Sequence, residues 1–415
     1  MKVLQINAVN YVASTGQIVK DLNDILLNKG FKSVVAYSKG LSYQSQSELL
    51  IGNRFDTKIH AFLSRLTGKQ GYFSKGATKK LLKFMDGYKP DVVVLHNLHA
   101  NYINFPMLLK HLAKNDIATV VVLHDCWFYT GKCCHYTVEG CLKWQESCGK
   151  CPSLKKHNVS WFFDKTKKMQ SDKTKLFNAI ERLAVVGVSD WITQEAKKSS
   201  VFSDAKLFKR IYNWIDTDIF SFNDNDVLKE RLGLKDKKII LSVAYGWNED
   251  KGINTILEIS EKLDEDERIL LVGNIYDNVS LNDNIIHIPT TNSSKELAKY
   301  YSIADVFIQP SLEETFGKVT AESLACGTPV VCFGSTTTPE LLSKECGVVL
   351  NDFEPIAMLL AARTIINTGK NNYSEHCRAR AVELFSKQNN TSEYISLFNE
   401  LVNLKENEHE GFMDS

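Results

Sequence analysis

The 415-residue sequence has no long hydrophobic run. Its longest apolar stretches, such as "ATVVVLHD", are strand-sized, so no segment is expected to span a bilayer. The N-terminus "MKVLQINAVN" lacks the longer apolar core and small-residue cleavage site of a signal peptide, and it reads as a first strand. A cytosolic location is therefore expected, where thiols stay reduced and disulfides are disfavoured. No short-period repeat or low-complexity tract interrupts the chain. No G-x-G-x-x-G fingerprint follows a strand, which argues against a dinucleotide-binding dehydrogenase.

What is present suits two domains of ordinary size. The net charge of +1 hides an asymmetry: residues 1–212 carry 32 Lys and Arg against 16 Asp and Glu, and residues 213–415 carry 18 against 33. The basic half either meets an anionic partner or has a solvated surface with a chance bias. Short β-branched runs alternate with amphipathic helical stretches, the pattern of parallel sheets built from βαβ units. In the first half the strands read "KVLQIN", "SVVAY", "DVVVLHN", "TVVVLHD" and "LAVVGVS", with helices at Gln17–Asn28 and Asn104–Lys114 among them. After "RIYNWIDTDIF" the pattern restarts with "KIILSVA", "RILLVGN", "IIHIP", "DVFIQPS", "PVVCFG" and "GVVL". The expected organisation is an α/β protein with two Rossmann-like domains, 1–212 and 213–389, facing each other across a cleft. A C-terminal helix and tail follow at 390–415, with disorder expected in the last few residues.

In doubly wound sheets, ligands bind beyond the carboxyl ends of the strands. Two first-half strands end in histidine, at His96 and at His124 beside Asp125, which places both imidazoles at the cleft edge. The more specific signal is "SLEETFGKVTAESLACGTPVV". Glu314 precedes a helix and Glu322 lies within it, while Gly317, Lys318 and Val319 form its N-terminus. Free amides and the helix dipole there suit an anion, leaving Glu322 to accept hydrogen bonds from hydroxyls such as those of a ribose. A second signal, "SVAYGWNEDKGINTILEI", sets Lys251 before a helix as a phosphate counter-charge. A third, "VASTGQIVKDL", has Gly16 opening the first helix.

These residues resemble the retaining, nucleotide-sugar-dependent glycosyltransferases of GT-B architecture, family 4, and most closely those of bacterial capsule, exopolysaccharide and O-antigen synthesis. The ordered set "STGQI", "LHNLH", "HDCWFYTGKC" and Glu314–Glu322 carries the resemblance over nearly the whole chain. It implies that Glu322 binds the nucleotide ribose and Glu314 the donor sugar. Lys251 and the amides from Gly317 would hold the diphosphate, with Phe316, Lys318 and Val319 beside it and Gly16 reaching it from the other domain. His124 and Asp125 would sit at the anomeric centre, with His96 and His99 on the acceptor side. Front-face attack guided by the leaving phosphate would need no protein nucleophile, and no cofactor is required for the chemistry. UDP is the expected nucleotide, with GDP as the alternative, and the acceptor is a growing glycan, either free or carried on a polyprenyl diphosphate. Two arginines usual in such enzymes are replaced, by Asp250 and by Gln17. A non-catalytic relative that binds nucleotide sugar or partners another glycosyltransferase is the competing reading. Zinc-dependent nucleic-acid binding leaves the second-half phosphate motifs unexplained, so no nucleic-acid partner is expected.

Six of the ten cysteines fall between Cys126 and Cys151. Cys133, Cys141, Cys148 and Cys151, ending in a C-x-x-C pair, are spaced to fold around one structural zinc and match the relatives' motif best; the alternative is small buried apolar residues. The segment "LTGKQGYFSKGATKKLLKFMDGYKP" mixes Lys69, Lys75, Lys79, Lys80, Lys83 and Lys89 with Tyr72, Phe73 and Phe84. It reads either as a dock for an anionic membrane, which would place the protein peripherally on the inner face, or as an amphipathic helix packing its leucines on the core.

Overall fold

A computed structural model describes residues 1–41, 46–223, 226–275, 279–291 and 293–410, with side chains to 404. The expected disorder of the last few residues falls outside this set. Contact density divides the chain into Met1–Ile211 with Thr391–Ser415, and Tyr212–Asn390.

The first unit holds seven strands: β1 (Lys2–Asn10), β2 (Lys32–Gly40), β3 (Glu48–Leu50), β4 (Val92–Leu95), β5 (Ala118–Leu123), β6 (Leu183–Gly187) and β7 (Leu207–Arg210). They form one parallel sheet in the order β3-β2-β1-β4-β5-β6-β7. β4 and β5 are buried at every position, because helices cover both faces of a parallel sheet and its central strands must be apolar throughout. Register runs from Lys2↔Lys32 on one side of β1 to Val3↔Val92 on the other. The chain therefore reverses direction across the sheet between β1 and β4, where the ends of neighbouring strands open a crevice.

The second unit repeats the plan with β8 (Lys238–Trp247), β9 (Glu267–Ile275), β10 (Ile285–Ile288), β11 (Val306–Gln309), β12 (Val330–Phe333) and β13 (Gly347–Leu350). The order is β10-β9-β8-β11-β12-β13, again parallel, with the reversal between β8 and β11. Ile253 and Ile256 of the helix Ile253–Ser260, and Met358 and Ile365 of the helix Pro355–Thr368, pack on Ile240, Ile269, Val306 and Val331.

Every strand expected from sequence is present, and β3 and β7 are additional. The first helix runs Ala13–Asn28, so Gly16 lies inside its first turn and does not open it as expected. The cause is local: Tyr11 and Ala13 take positive φ angles of 62° and 56°, which turn the chain into the helix early.

Candidate functional site

In the second unit, the loops after β8 and β11 bring the expected donor residues together. Asn248 caps the turn Glu249–Lys251 by accepting from the Lys251 amide at 2.9 Å. Gly252 then takes φ +80°, and a Cβ there would come within 2.4 Å of the Pro310 carbonyl, so only glycine lets the two loops meet. The Leu312 amide donates to the Asp250 carbonyl at 3.0 Å, tying the loops side by side. Lys251 Nζ consequently lies 2.6 Å from Glu314 Oε1. The Glu314 backbone is held in turn by Thr336 Oγ1, which accepts from its amide at 2.9 Å and donates to its carbonyl at 2.6 Å.

The helix Lys318–Ala325 starts from Gly317 at φ +78°, with no side-chain cap and no acidic residue in its first turn. Such an end presents amides and the positive pole of the helix to an anion. Glu322, one turn in, is buried; it accepts from the Tyr301 hydroxyl at 3.2 Å and sits 3.5 Å from Lys318 Nζ. Burial raises its carboxyl above the usual value, against the opposing pull of Lys318 and Tyr301. Phe316 immediately precedes Gly317. Its ring is buried against Tyr212 and Phe385, at centroid distances of 6.3 and 5.5 Å, so its side chain packs the core and leaves only its backbone for a ligand. Val319 lies in the first turn of the same helix.

In the first unit, His96 and His124 follow β4 and β5 directly. Their rings stack at 5.2 Å, with His96 Nδ1 2.9 Å from His124 Nε2 and His96 Nε2 3.2 Å from Gln5 Oε1. Burial holds both imidazoles neutral: His124 falls to about 4, and His96 lies well below its usual value. His99 pairs instead with Asp125, Nε2 to Oδ2 at 2.7 Å. The Trp127 amide donates to the other Asp125 oxygen at 2.8 Å. Burial alone would raise the Asp125 carboxyl, but His99 and the Trp127 amide outweigh it and hold it at about 2. Gly16 is buried under the loop after β1, where a Cβ would press on the Tyr11 amide at 3.3 Å. The Gln17 side chain donates to Asp21 at 3.0 Å.

The cysteine loop follows β5. Cys133, Cys141, Cys148 and Cys151 line one pocket with Lys132, Tyr136, Trp144 and Pro152. Among the described residues, the donor atoms that all lie within 4.8 Å of one another are those of His99, Asp125 and Cys134, so the four loop sulfurs are less closely drawn together. The segment of mixed lysines and aromatics forms the helix Lys75–Tyr88, which packs Ala77, Leu81 and Met85 inward. Tyr72 donates to Asp172 and Phe73 packs edge-on against His60, so these aromatics serve the fold.

Sequence reasoning missed Tyr301, Thr336 and Lys173. Tyr301 and Thr336 lie in segments without a motif and reach the site only through the fold. Lys173 occupies a buried position of a largely polar helix, where periodicity gives no sign of burial.

The family described as "Glycosyl transferases group 1" matches residues 224–383. The putative colanic acid biosynthesis glycosyl transferase WcaC of Escherichia coli (strain K12) is 22% identical over 97% of this chain and 100% of its own length. Sucrose-phosphate synthase from Thermosynechococcus elongatus superposes with a TM-score of 0.66 at 15% identity, covering 96% of this chain and 98% of that one. Anabaena HepE in complex with UDP-glucose gives 0.65 at 14% identity, covering 96% and 100%. Residues 224–383 are thus a group 1 glycosyltransferase domain, in a chain that has the architecture of GT-B glycosyltransferases of known structure and resembles, over its full length, a relative named for colanic acid synthesis.

Proposed function

We propose that the chain is a retaining glycosyltransferase that moves a hexose from a nucleotide-diphosphate donor, UDP in preference to GDP, to a growing surface glycan. The observation that carries this is the loop pair after β8 and β11. It sets Lys251 against Glu314 beside an uncapped helix end that leads to a buried carboxylate, Glu322. In this reading the ribose hydroxyls donate to Glu322 and the donor sugar to Glu314. The amides of Gly317, Lys318 and Val319, with Lys251, stabilise the departing diphosphate. His124, held neutral, accepts or donates a hydrogen bond near the reacting carbon. Asp125 and His99 orient the acceptor side, and His96 fixes the His124 ring. The UDP preference draws support from the HepE neighbour with bound UDP-glucose.

Transfer or slow hydrolysis of UDP- and GDP-sugars by the purified chain tests the proposal. A protein that is stabilised by these nucleotides yet never cleaves the donor is the non-catalytic relative. Asp250 and Gln17, which stand where such enzymes usually carry arginine, favour that second reading.

We further propose that the acceptor is lipid-linked and that the first unit docks on an anionic bilayer. The supporting surface is not the helix Lys75–Tyr88. Phe55, Ile59 and Phe62 share one face of the helix Arg54–Thr67 and are 70, 42 and 52% exposed. Phe62 meets Trp161 edge-on at 5.9 Å, and Phe162 and Phe163, 66 and 53% exposed, continue the patch. Arg54, Lys58, Arg65 and Lys155 are exposed around it, and Lys165 lies over the Phe163 ring at 5.7 Å. Aromatic rings inside a basic rim suit the boundary between headgroups and acyl chains, where apolar bodies bury and ammonium groups meet anionic lipid. Among the described residues, no helix is long and apolar enough to cross the membrane.

A further inference from the structure

Two lysines lie buried beside the cysteine loop with only uncharged hydrogen-bond partners. Lys132 is 3% exposed and donates to the carbonyls of Leu154, Lys156 and Asn158 at 3.0, 2.9 and 3.1 Å, which uses all three ammonium hydrogens. Lys173 is fully buried, donates to the carbonyls of Trp127 and Thr130, and lies 3.5 Å from the centroid of the Trp127 ring. An ammonium taken out of water is costly unless an opposite charge accompanies it. The ionisable groups that face these two are mainly sulfurs: Cys151, Cys133 and Cys134 around Lys132, with Asp164 beyond, and Cys148, Cys134 and Cys133 around Lys173, with Asp125. Asp125 is already engaged by His99 and the Trp127 amide.

We infer that the loop holds one divalent, thiophilic metal ion on Cys133, Cys141, Cys148 and Cys151, and that Lys132 and Lys173 are its built-in counter-charges. A doubly positive ion on four thiolates carries a charge of −2, which two ammonium groups neutralise. Loading releases the four thiol protons to solvent. The donor set is that of a closed structural zinc site. The pocket between the sulfurs has about 20 Å³ free, space for one water-sized body, and Tyr136, Trp144 and Pro152 help to wall it.

The backbone is fixed around it. The Cys148 amide donates to Gln170 at 2.6 Å, the Cys151 amide to Asp164 at 2.8 Å, and the Gly131 amide to Cys148 Sγ at 3.3 Å. Amide-to-sulfur bonds of this kind favour the thiolate and orient it as a ligand. The frame of the loop is thus tied to the helix Thr166–Phe177 through Gln170, and loading draws the four sulfurs closer together than they lie in this structure. The group His99, Asp125 and Cys134 is the rival site. It contains only one sulfur, and its carboxylate is already used by protein donors.

The full chain, purified under reducing conditions, is expected to contain about one zinc per molecule. With cobalt in its place, thiolate-to-metal charge-transfer bands and tetrahedral d–d absorption should appear. Cys148→Ser should lose the metal. Lys173→Met keeps the ligands and the apolar stem, and should bind about ten-fold or more weakly against a chromophoric chelator. Should Cys148→Ser fail to fold, the wild-type cobalt spectrum and the Lys173→Met titration still decide. A folded chain that takes up neither zinc nor cobalt overturns the site. Metal retained in Cys148→Ser but lost in Cys134→Ser moves it to the rival group. Unchanged affinity in both Lys173→Met and Lys132→Met overturns the role given to the lysines.

Discussion

Replacing Glu322 by Gln separates ligand binding from stability. The carboxylate is buried, and burial disfavours its ionised form. A carboxyl raised above its unfolded value binds its proton more tightly in the folded chain. The protein therefore gains stability as pH falls toward that raised value, and the ionised group costs stability at neutral pH. Glutamine removes this cost and keeps an oxygen for the Tyr301 hydroxyl. It also removes the contact with Lys318, a pair at 3.5 Å with the lysine about a third exposed, worth about 1 kcal/mol at most. The melting temperature should thus hold or rise. Binding should fall, because a hydrogen bond to a charged acceptor contributes about 1.5–3 kcal/mol. Losing one corresponds to a roughly 10- to 150-fold weaker dissociation constant. Calorimetric titration with UDP and GDP, beside thermal melts of both proteins, measures the two effects. Wild-type affinity in Glu322→Gln, or a loss of affinity matched by a loss of melting temperature, would refute the assignment.

Lys251→Ala should lower sugar transfer by about 10²- to 10³-fold, the usual effect of removing one group that stabilises a developing negative charge. Its ion pair is a third exposed on the lysine side, so unfolding free energy should change by about 1 kcal/mol or less; comparable losses in rate and melting temperature would count against the role. His124 titrates near 4 in the folded chain against 6.5 when unfolded, so stability should be flat above pH 6.5 and fall as acid protonates the unfolded state, by about 3 kcal/mol for this residue once pH reaches 4. His124→Gln should flatten that fall in pH-dependent melts, and an unchanged slope would show that other groups cause it. The chain should sediment with liposomes containing anionic lipid and less so in high salt. Phe162→Ser with Phe163→Ser should reduce that binding more than charge reversal at Lys79, Lys80 and Lys83 does. Failure of the wild-type chain to sediment at low salt means that the membrane proposal is wrong.

Sequence patterning revealed those parts of the fold whose physics is local. Strands such as Val92–Leu95 and Ala118–Leu123 are apolar at every position because both faces are covered, and their ends point to His96 and His124 without further information. The edge strands Glu48–Leu50 and Leu207–Arg210 are half-buried or exposed, carry charge, and have no apolar run to announce them. The loop around Gly317 and the turn at Lys251 form where the sequence motifs led one to expect a helix start and a strand-to-helix turn. The tie between them through the Asp250 carbonyl and Gly252 was not legible, since it depends on residues far apart in sequence, Asp250 with Leu312 and Gly252 with Pro310, meeting in space. The exposed aromatic patch was not legible for a related reason. Alternating lysines and aromatics between Lys69 and Lys89 state composition, whereas exposure depends on what the rings pack against. Phe162 and Phe163 sit in a short loop with no pattern of its own.

The way Asp250 is used bears on how such an enzyme could evolve. The fold draws on its carbonyl, which accepts from Leu312, while the side chain stands in solvent and carries no structural duty visible in the geometry. The residue type at this position is thus open to drift at almost no risk to folding. A lineage could gain or shed a cation beside Lys251 by single substitutions and so adjust catalytic speed independently of architecture. Reintroducing arginine at position 250 would reveal whether this chain is a slow setting of the same machine.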